Sequence, residues 1–190
     1  ASGSVSIRTG VGDGSFLAGG NIDAGLAPRF VAAGDFNGDG WADLAVANAG
    51  SDNVSILIAT GAGTFAAAVP YGAGTAPSSL AVADLDRDGS LDVAVSNSDA
   101  NGVAFLAGNG DGTFAAAVGL SGGSGSSNVA AADLDGDGAP ELVIARTASS
   151  NAAILRNTCP APDLSVVKSH NGILQPGQSV IYEIVVSNVA

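Results

Sequence analysis

The chain has 190 residues, a formal net charge of −12 and a mean hydropathy of +0.36, and 28 of its residues are glycine. This composition favours a compact all-β protein over a disordered one. The negative charge and the low aromatic content of 5% argue against nucleic-acid binding, because phosphate would be repelled and few side chains could stack on bases. No apolar run approaches the roughly 18 residues of a transmembrane helix.

The N-terminal residues predict part of a repeated unit. Residues 3–22 contain two strand-like runs on either side of the turn Gly12-Asp13-Gly14-Ser15. Apolar residues of these runs recur at a spacing of 49 residues, as the columns Ile7, Ile56, Phe105, Ile154 and Phe16, Phe65, Phe114. We interpret residues 3–22 as the third and fourth strands of a unit whose first two strands are missing.

A nine-residue segment recurs three times at the same spacing of 49 residues. It reads D-F-N-G-D-G-W-A-D from Asp35, D-L-D-R-D-G-S-L-D from Asp84 and D-L-D-G-D-G-A-P-E from Asp133. Oxygen-bearing side chains at positions 1, 3, 5 and 9 can wrap a hard cation, because Ca²⁺ takes about six to eight oxygen ligands and Gly at position 6 permits the sharp turn. The sequence therefore predicts three calcium loops. The side chains concerned are Asp35, Asn37, Asp39, Asp43, Asp84, Asp86, Asp88, Asp92, Asp133, Asp135, Asp137 and Glu141.

The alternative is that Asp, Asn and Gly mark only solvated turns. Eleven of the 18 acidic residues fall within the three segments, however, and so many carboxylates in one turn would repel one another unless a cation neutralised them. An EF-hand is excluded by position 12, where a bidentate Glu is needed and the chain has Val46, Val95 and Ile144. Threefold recurrence favours metal loops, since a single match would be weak evidence.

Short apolar runs flank each loop and are too short for helices. The runs before the loops cover residues 30–33, 80–83 and 129–132, and those after them cover 44–47, 93–95 and 142–145. Because they are rich in Val, Ile, Leu and Ala, they predict two strands joined by the metal loop. The columns that include Ile7 and Phe16 supply a third and a fourth strand, and four strands per repeat are typical of a β-propeller blade.

The segment Asp-x-Asn/Asp-x-Asp-Gly-x-x-Asp/Glu-Leu/Val-x-Val/Ile, with its Gly-Asp-Gly-Thr-Phe turn, resembles the FG-GAP or VCBS repeat of integrin α-chain propellers and of many bacterial surface proteins. The resemblance covers residues 3–157. It implies an all-β fold of propeller blades. It also implies calcium bound by the side chains at positions 1, 3, 5 and 9 and by the backbone carbonyl at position 7. The position-7 residues are Trp41, Ser90 and Ala139.

The repeat stops near residue 157, so the blade at 129–157 has three strands and lacks a fourth. The chain is thereby divided into three parts. Residues 1–158 form the repeat region, with a partial blade at 3–22 and blades starting near 30, 79 and 128, and residues 159–162 form a Pro-rich linker. Residues 163–190 show partial strand-like alternation and resemble the first strands of the Ig-like conserved-repeat domain of bacterial cell-surface proteins. Such a sandwich needs about seven strands, so this segment cannot bury a core alone. Cys159 is either a buried free thiol or a partner in an intermolecular bridge.

Three functions remain open from the sequence. The first is a calcium-stabilised structural or adhesive module, and the second is a lectin-like propeller module that binds glycan or protein. For the second, Trp41 and Tyr71 are the candidate aromatics in exposed loops. The third is a fragment of a larger secreted enzyme. With one His and no recognisable catalytic grouping, we expect no enzymatic activity and no catalytic residue.

Location and partners follow from the predicted calcium sites and from the repeat. Extracellular calcium modules bind at about 10⁻⁴ to 10⁻³ M, so we expect an extracellular or cell-surface protein. The chain begins with Ala1 and contains no Met, which indicates processing or a segment of a longer polypeptide. Ile7 and Ile154 occupy one column, so closure within one chain would place two strands in one position. We expect strands completed in trans, by other copies paired head to tail in a surface fibre or by the remainder of a longer surface protein.

Overall fold

The computed structural model describes residues 3–98, 102–123, 125–158 and 181–184, and these residues contain strands but no helix. The prediction of an all-β chain is confirmed. None of the described residues belongs to a helix that could span a membrane. The strands are β1 Ser4–Gly10, β2 Phe16–Asp23, β3 Pro28–Gly34, β4 Asp43–Asn48, β5 Asn53–Leu57, β6 Ala59–Gly61, β7 Thr64–Phe65, β8 Val69–Gly72, β9 Pro77–Ala83, β10 Asp92–Asn97, β11 Gly102–Leu106, β12 Val118–Leu120, β13 Ser126–Ala132, β14 Glu141–Arg146, β15 Asn151–Asn157 and β16 Ile181–Ile184.

Most strands form four-stranded sheets that follow the 49-residue repeat. The first sheet has the order β3-β4-β5-β8, the second β9-β10-β11-β12 in chain order, and the third β13-β14-β15-β16. The first three strands of each sheet are antiparallel neighbours. The first and second sheets have the four strands per repeat that the sequence predicts for propeller blades.

Strands β1 and β2 form a separate two-stranded sheet. β1 starts at Ser4 and β5 starts at Asn53, which is the same place in the repeat. β5 is paired on both edges, with β4 and β8, whereas β1 pairs only with β2 among the described residues. Residues 3–22 therefore take the positions of a third and a fourth strand.

The aromatic residue after each Gly-rich turn does not always open the fourth strand. Phe16 opens β2, but Phe65 lies in the short β7, which pairs with β6 ahead of β8. Phe114 forms an isolated bridge with Gly108 ahead of β12. The expectation for Phe65 and Phe114 is therefore wrong. The physical reason at Phe114 is packing, because its buried ring meets Phe36 edge-on at a centroid distance of 5.2 Å.

The core is built mainly from small aliphatic side chains on the middle strands. β4 is buried along nearly its whole length and β10 along all of it. One cluster joins the first and second sheets and includes Ile56, Val95 and Leu106, and another joins the second and third sheets and includes Phe105 and Ile144. Each such side chain gains about 1.5–3 kcal/mol from burial. The first strands of successive sheets also contact one another, β3 with β9 and β9 with β13.

The strand β16 occupies the fourth position of the third sheet. Its backbone runs parallel to β15, with Ile181 opposite Ile154 and Ile184 opposite Asn157. The fourth strands of the other two sheets, β8 and β12, are antiparallel to their neighbours. The expectation that the blade at 129–157 lacks a fourth strand is thus wrong, because a segment outside the repeat takes that position. The predicted linker at 159–162, Cys159, and residues 163–180 and 185–190 of the predicted Ig-like segment lie outside the described residues.

Candidate metal centres

Each predicted metal loop connects the first two strands of a sheet. The loops follow β3, β9 and β13, and the ninth loop residue is the first residue of the next strand. The glycine at position 6 has a left-handed backbone, with a φ of 86° at Gly40 and 91° at Gly89. This conformation favours glycine because a Cβ would be strained there, and it turns the chain back toward the start of the loop.

The carboxylate at position 1 accepts hydrogen bonds from the backbone of its own loop. Asp35 Oδ1 accepts from Gly38 N at 2.8 Å, and Asp35 Oδ2 accepts from Gly40 N at 2.9 Å. Asp133 makes the equivalent pair of bonds in the third loop, at 2.8 and 2.9 Å. In the second loop, Asp84 Oδ2 accepts the bond from position 6 at 3.1 Å. These bonds hold each loop closed around its first side chain.

The carboxylate at position 9 joins the loop to a distant part of its sheet. Asp43 Oδ2 accepts from Phe36 N at 2.9 Å, and Asp43 Oδ1 accepts from Ala59 N at 2.7 Å. Asp92 accepts the two equivalent bonds in the second sheet, at 2.7 and 2.8 Å. Both side chains are fully buried. Each therefore ties the start of the metal loop to the segment that follows the third strand.

Two buried carboxylate oxygens have no hydrogen-bond donor among the described residues. Glu141 has a side chain one methylene longer than Asp; its Oε2 accepts from Leu134 N at 2.8 Å, but Oε1 accepts nothing. Asp84 Oδ1 in the second loop is in the same situation. Burying an ionised oxygen without a partner is costly, and a bound cation would remove that cost.

The side chains at positions 1, 3 and 9 come together in the second and third loops. In each group, one oxygen per side chain lies within 4.8 Å of the other two. The groups are Asp84, Asp86, Asp92 and Asp133, Asp135, Glu141. Three carboxylates this close repel one another, so the grouping is favourable for a cation.

The first loop differs because Asn37 replaces the acidic residue at position 3. Asn37 Oδ1 accepts from Asp39 N at 3.1 Å, and its Nδ2 donates to Asp39 Oδ2 at 2.9 Å. An amide oxygen can bind Ca²⁺ but brings no negative charge. Asp35 and Asp43 are therefore left as the acidic residues at positions 1 and 9.

The carboxylates at position 5 stand outside the two acidic groups. Each accepts a hydrogen bond from the amide two residues later, at 2.8 Å in the first loop and 2.7 Å in the other two. The bonds described for the position-7 backbone involve its N–H, not its carbonyl. A ligand role at positions 5 and 7 thus stays a prediction, for Asp39, Asp88, Asp137, Trp41, Ser90 and Ala139.

Burial sets the electrostatics of the second loop. It raises the pKa of Asp92 to about 7; the hydrogen bonds from Gly108 and Leu85 oppose this shift, and the charges of Asp86 and Asp88 add to it. Burial also raises the pKa of Asp86. A cation would lower both pKa values again, because it favours the ionised carboxylates.

Two arginines that were not predicted as site residues pair with the third loop. Arg156 Nη2 lies 3.0 Å from Asp135 Oδ2, and Arg87 Nη2 lies 3.0 Å from Asp137 Oδ1. All four side chains are partly exposed, so each pair contributes at most about 1 kcal/mol. Arg87 had a signal in the sequence, since it stands at position 4 where the other two loops have Gly. No pattern points to Arg156 in β15.

The donor set suits a hard divalent cation. The grouped atoms are carboxylate oxygens, which Ca²⁺ prefers. In the first loop, position 3 is Asn37, which offers an amide oxygen. Asp84 and Glu141 belong to these groups, and each has one buried oxygen that lacks a donor from the described residues. The residues present therefore fit calcium, with positions 1, 3 and 9 as its nearest candidate ligands.

Comparison with known protein families agrees with the three repeated loops described above. A family model described as FG-GAP-like repeat matches residues 35–95 and again residues 84–144, so that the two matches together cover more than half of the chain. Each match begins at the first residue of one metal loop and extends through the next. No curated protein matches the chain. The chain belongs to the FG-GAP-like repeat family.

Proposed function

We propose that the chain is an extracellular structural or adhesive module whose sheets are stiffened by calcium at the three loops. The observation that carries the proposal is the presence of buried oxygens without donors, Asp84 Oδ1 and Glu141 Oε1, inside groups of three acidic side chains. The same loop stands at the same place in three successive sheets, which supports a role in the scaffold. The proposal gives these carboxylates a structural role and assigns no catalytic residue.

Calcium would stabilise the connection between the first three strands of each sheet. Asp92 is already bonded to Leu85 N in the loop and to Gly108 N after the third strand. A cation bound by Asp84, Asp86 and Asp92 would also connect the end of the first strand, β9, to the segments that Asp92 already joins. It would thereby fix three strands relative to one another and neutralise carboxylates that otherwise repel. Such sites bind weakly, at about 10⁻⁴ to 10⁻³ M, which matches the calcium level outside cells.

Chelation tests this proposal directly. With about 1 mM free Ca²⁺ and a Kd of about 10⁻⁴ M, each site adds about 1.4 kcal/mol, or roughly 4 kcal/mol for three sites. We expect EDTA to lower the melting temperature of the wild type and of the control Asp23→Asn, whose acidic side chain is exposed and outside the loops. Asp84→Asn combined with Asp86→Asn should remove about a third of the calcium effect. An unchanged melting temperature in EDTA would reject the calcium sites.

We also propose that the free edge of β1 receives strands from a second copy of the chain. β1 corresponds to β5, which has neighbours on both edges, and β1 has one described neighbour. Close to it, Phe16 and Leu17 at the start of β2 are 67% and 62% exposed. An unpaired edge beside exposed apolar side chains favours strand addition.

The assembly state tests this second proposal. Residues 1–190 in calcium should form oligomers or filaments, and removal of residues 1–22 should abolish them. Phe16→Ser with Leu17→Ser should weaken assembly while the β1–β2 pairing remains. A monomer at high micromolar concentration, unchanged by the deletion, would instead indicate that the edge is completed by a further part of a longer polypeptide.

A second candidate function is recognition of a glycan, favoured by a cleft in the second sheet. Tyr71 does not serve it, because it lies in β8, packs on Phe114 and accepts a hydrogen bond from Phe114 N at 3.3 Å. The expectation of an exposed-loop aromatic at Tyr71 is therefore wrong, whereas Trp41 is 48% exposed. The cleft has a volume of about 440 Å³ and is lined by uncharged residues that include Asn97 and Ser121.

A comparison of the repeats supports a ligand in this cleft. In the first sheet, the equivalent Asn48 donates to Asn53 and Ser55, at 2.9 and 3.0 Å. In the second sheet their counterparts are Gly102 and Ala104, which offer no side-chain acceptor to the Asn97 amide nitrogen. The Oδ1 atoms of Asn48 and Asn97 are both buried without a donor from the described residues. An uncharged ligand with hydroxyl groups, which donate and accept, suits the Asn97 side chain. A glycan array should show binding that Asn97→Ala abolishes, and an array without binding would reject this candidate.

A further inference from the structure

Arg87 has a backbone conformation that its two counterparts leave to glycine. It is the fourth residue of the second loop, with a φ of 64°, and the fourth residues of the other loops are Gly38 at 72° and Gly136 at 81°. A residue with a Cβ is disfavoured in this left-handed region. Arg87 thus has a conformation that glycine would adopt without strain.

The side chain of Arg87 reaches from the second loop into the third. Its Nη2 donates to the backbone carbonyl of Asp137 at 2.6 Å and to Asp137 Oδ1 at 3.0 Å. Asp137 is the fifth residue of its loop, next to the glycine at position 6. Because position 4 of the first loop is Gly38, that position supplies no side chain for the same link to the second loop.

We propose that Arg87 couples the second and third loops, so that calcium in one raises the affinity of the other, while the first loop binds calcium independently. The inference rests on the proposed calcium function and names a positioning residue for it. Arg87 lies in the chain between Asp86 and Asp88. A cation that orders the second loop therefore also fixes the backbone position from which the Arg87 side chain extends. The guanidinium then holds Asp137 in place for the third loop.

The hydrogen bonds at Asp137 indicate a positive sign for this coupling. Its Oδ1 accepts from Ala139 N at 2.7 Å and from Arg87, whereas neither bond uses Oδ2. The carboxylate can thus keep its arginine while Oδ2 faces a cation. A guanidinium near a cation also repels it, and this charge effect lowers affinity whether or not the second loop is filled. It therefore changes the affinity of the third loop without creating coupling.

Calorimetric titration with Ca²⁺ tests the coupling. Asp35→Asn with Asp39→Asn weakens the first loop and leaves the second and third for measurement. In this background, adding Asp84→Asn and Asp86→Asn should reduce the affinity of the third loop by about fivefold or more, within the usual range of coupling between sites. With Arg87→Gly, the same loss should be less than about twofold.

Two controls separate the link from its charge and from misfolding. Arg156→Gln removes the guanidinium on Asp135 without touching the second loop, and the fivefold loss should persist there. Arg87→Gly gives the second loop the residue of its two counterparts, and an unchanged melting profile in EDTA will show that it folds. Equal losses with and without Arg87, no loss, or a gain of affinity would overturn the proposal. Absence of calcium binding in every protein would overturn the calcium function as well.

Discussion

Asp92→Ala is the substitution for which the structure gives the clearest magnitude. Asp92 is fully buried and accepts one hydrogen bond from Leu85 N and one from Gly108 N. Removing the carboxylate leaves two buried amides without an acceptor, and each such loss costs about 1–3 kcal/mol. Part of this cost is offset, because burial of the carboxylate is itself unfavourable and raises its pKa to about 7. We expect a net destabilisation of about 3 kcal/mol, present even without calcium.

Chemical denaturation in EDTA measures this loss. For a chain of this length, about 3 kcal/mol corresponds to a decrease of roughly 6–12 °C in melting temperature. The matched control is Asp88→Ala, since Asp88 is exposed and its carboxylate accepts one bond, from Ser90 N. In EDTA this control should stay within about 0.5 kcal/mol of the wild type. If Asp92→Ala and Asp88→Ala have equal stability in EDTA, the role given to the position-9 carboxylate is wrong.

Three further predictions concern calcium, pH and the loop backbone. In calcium, Asp88→Ala should lose more stability than Asp39→Ala, because the second loop has four carboxylates and the first has three; the reverse order in calorimetry would contradict the charge argument. In EDTA, the raised pKa of Asp92 means that the folded state binds more protons than the unfolded state between about pH 4 and 7. Stability should therefore fall as pH rises through this window and be recovered by calcium, which thermal melts at pH 5 and 7.5 will check. Gly89→Ala should cost about 1–2 kcal/mol, since its φ is 91°, whereas the control Gly119→Ala, where a Cβ meets no atom within 4 Å, should be near neutral; equal denaturation midpoints would refute this.

The sheets and the acidic loops between their first two strands could be predicted because the sequence repeats each of them three times. A run such as Leu80 to Ala83 is too short to assign alone, but its alignment with the runs before the other two loops fixes both the strand and its register. The grouping of the side chains at positions 1, 3 and 9 in the second and third loops could be predicted for the same reason, since closure of the loop is local and depends on glycine at position 6. Local interactions repeated in register leave a pattern in the sequence.

Interactions between distant segments left no such pattern. The bond from Gly108 N to Asp92 recurs in the first sheet as the bond from Ala59 N to Asp43, but the donors are backbone amides of unlike residues, so no side-chain pattern predicts them. The inward packing of Phe114 on Phe36 depends on how two sheets meet, so the periodicity alone placed Phe114 in the wrong element. Arg156 pairs with Asp135 only because β15 passes beside the third loop. These contacts are decided by tertiary packing.

The parallel strand β16 gives the three sheets different folding requirements. Each strand of the first two sheets pairs with segments close to it in the chain, and such local pairing forms quickly as loop closure is cheap. The third sheet instead needs Ile181 to find Ile154, 27 residues earlier, through a parallel pairing that no hairpin can guide. We therefore expect the third sheet to gain hydrogen-exchange protection last during refolding. For a chain that emerges from its N-terminus, the first two sheets can be complete while the third still exposes the edge of β15.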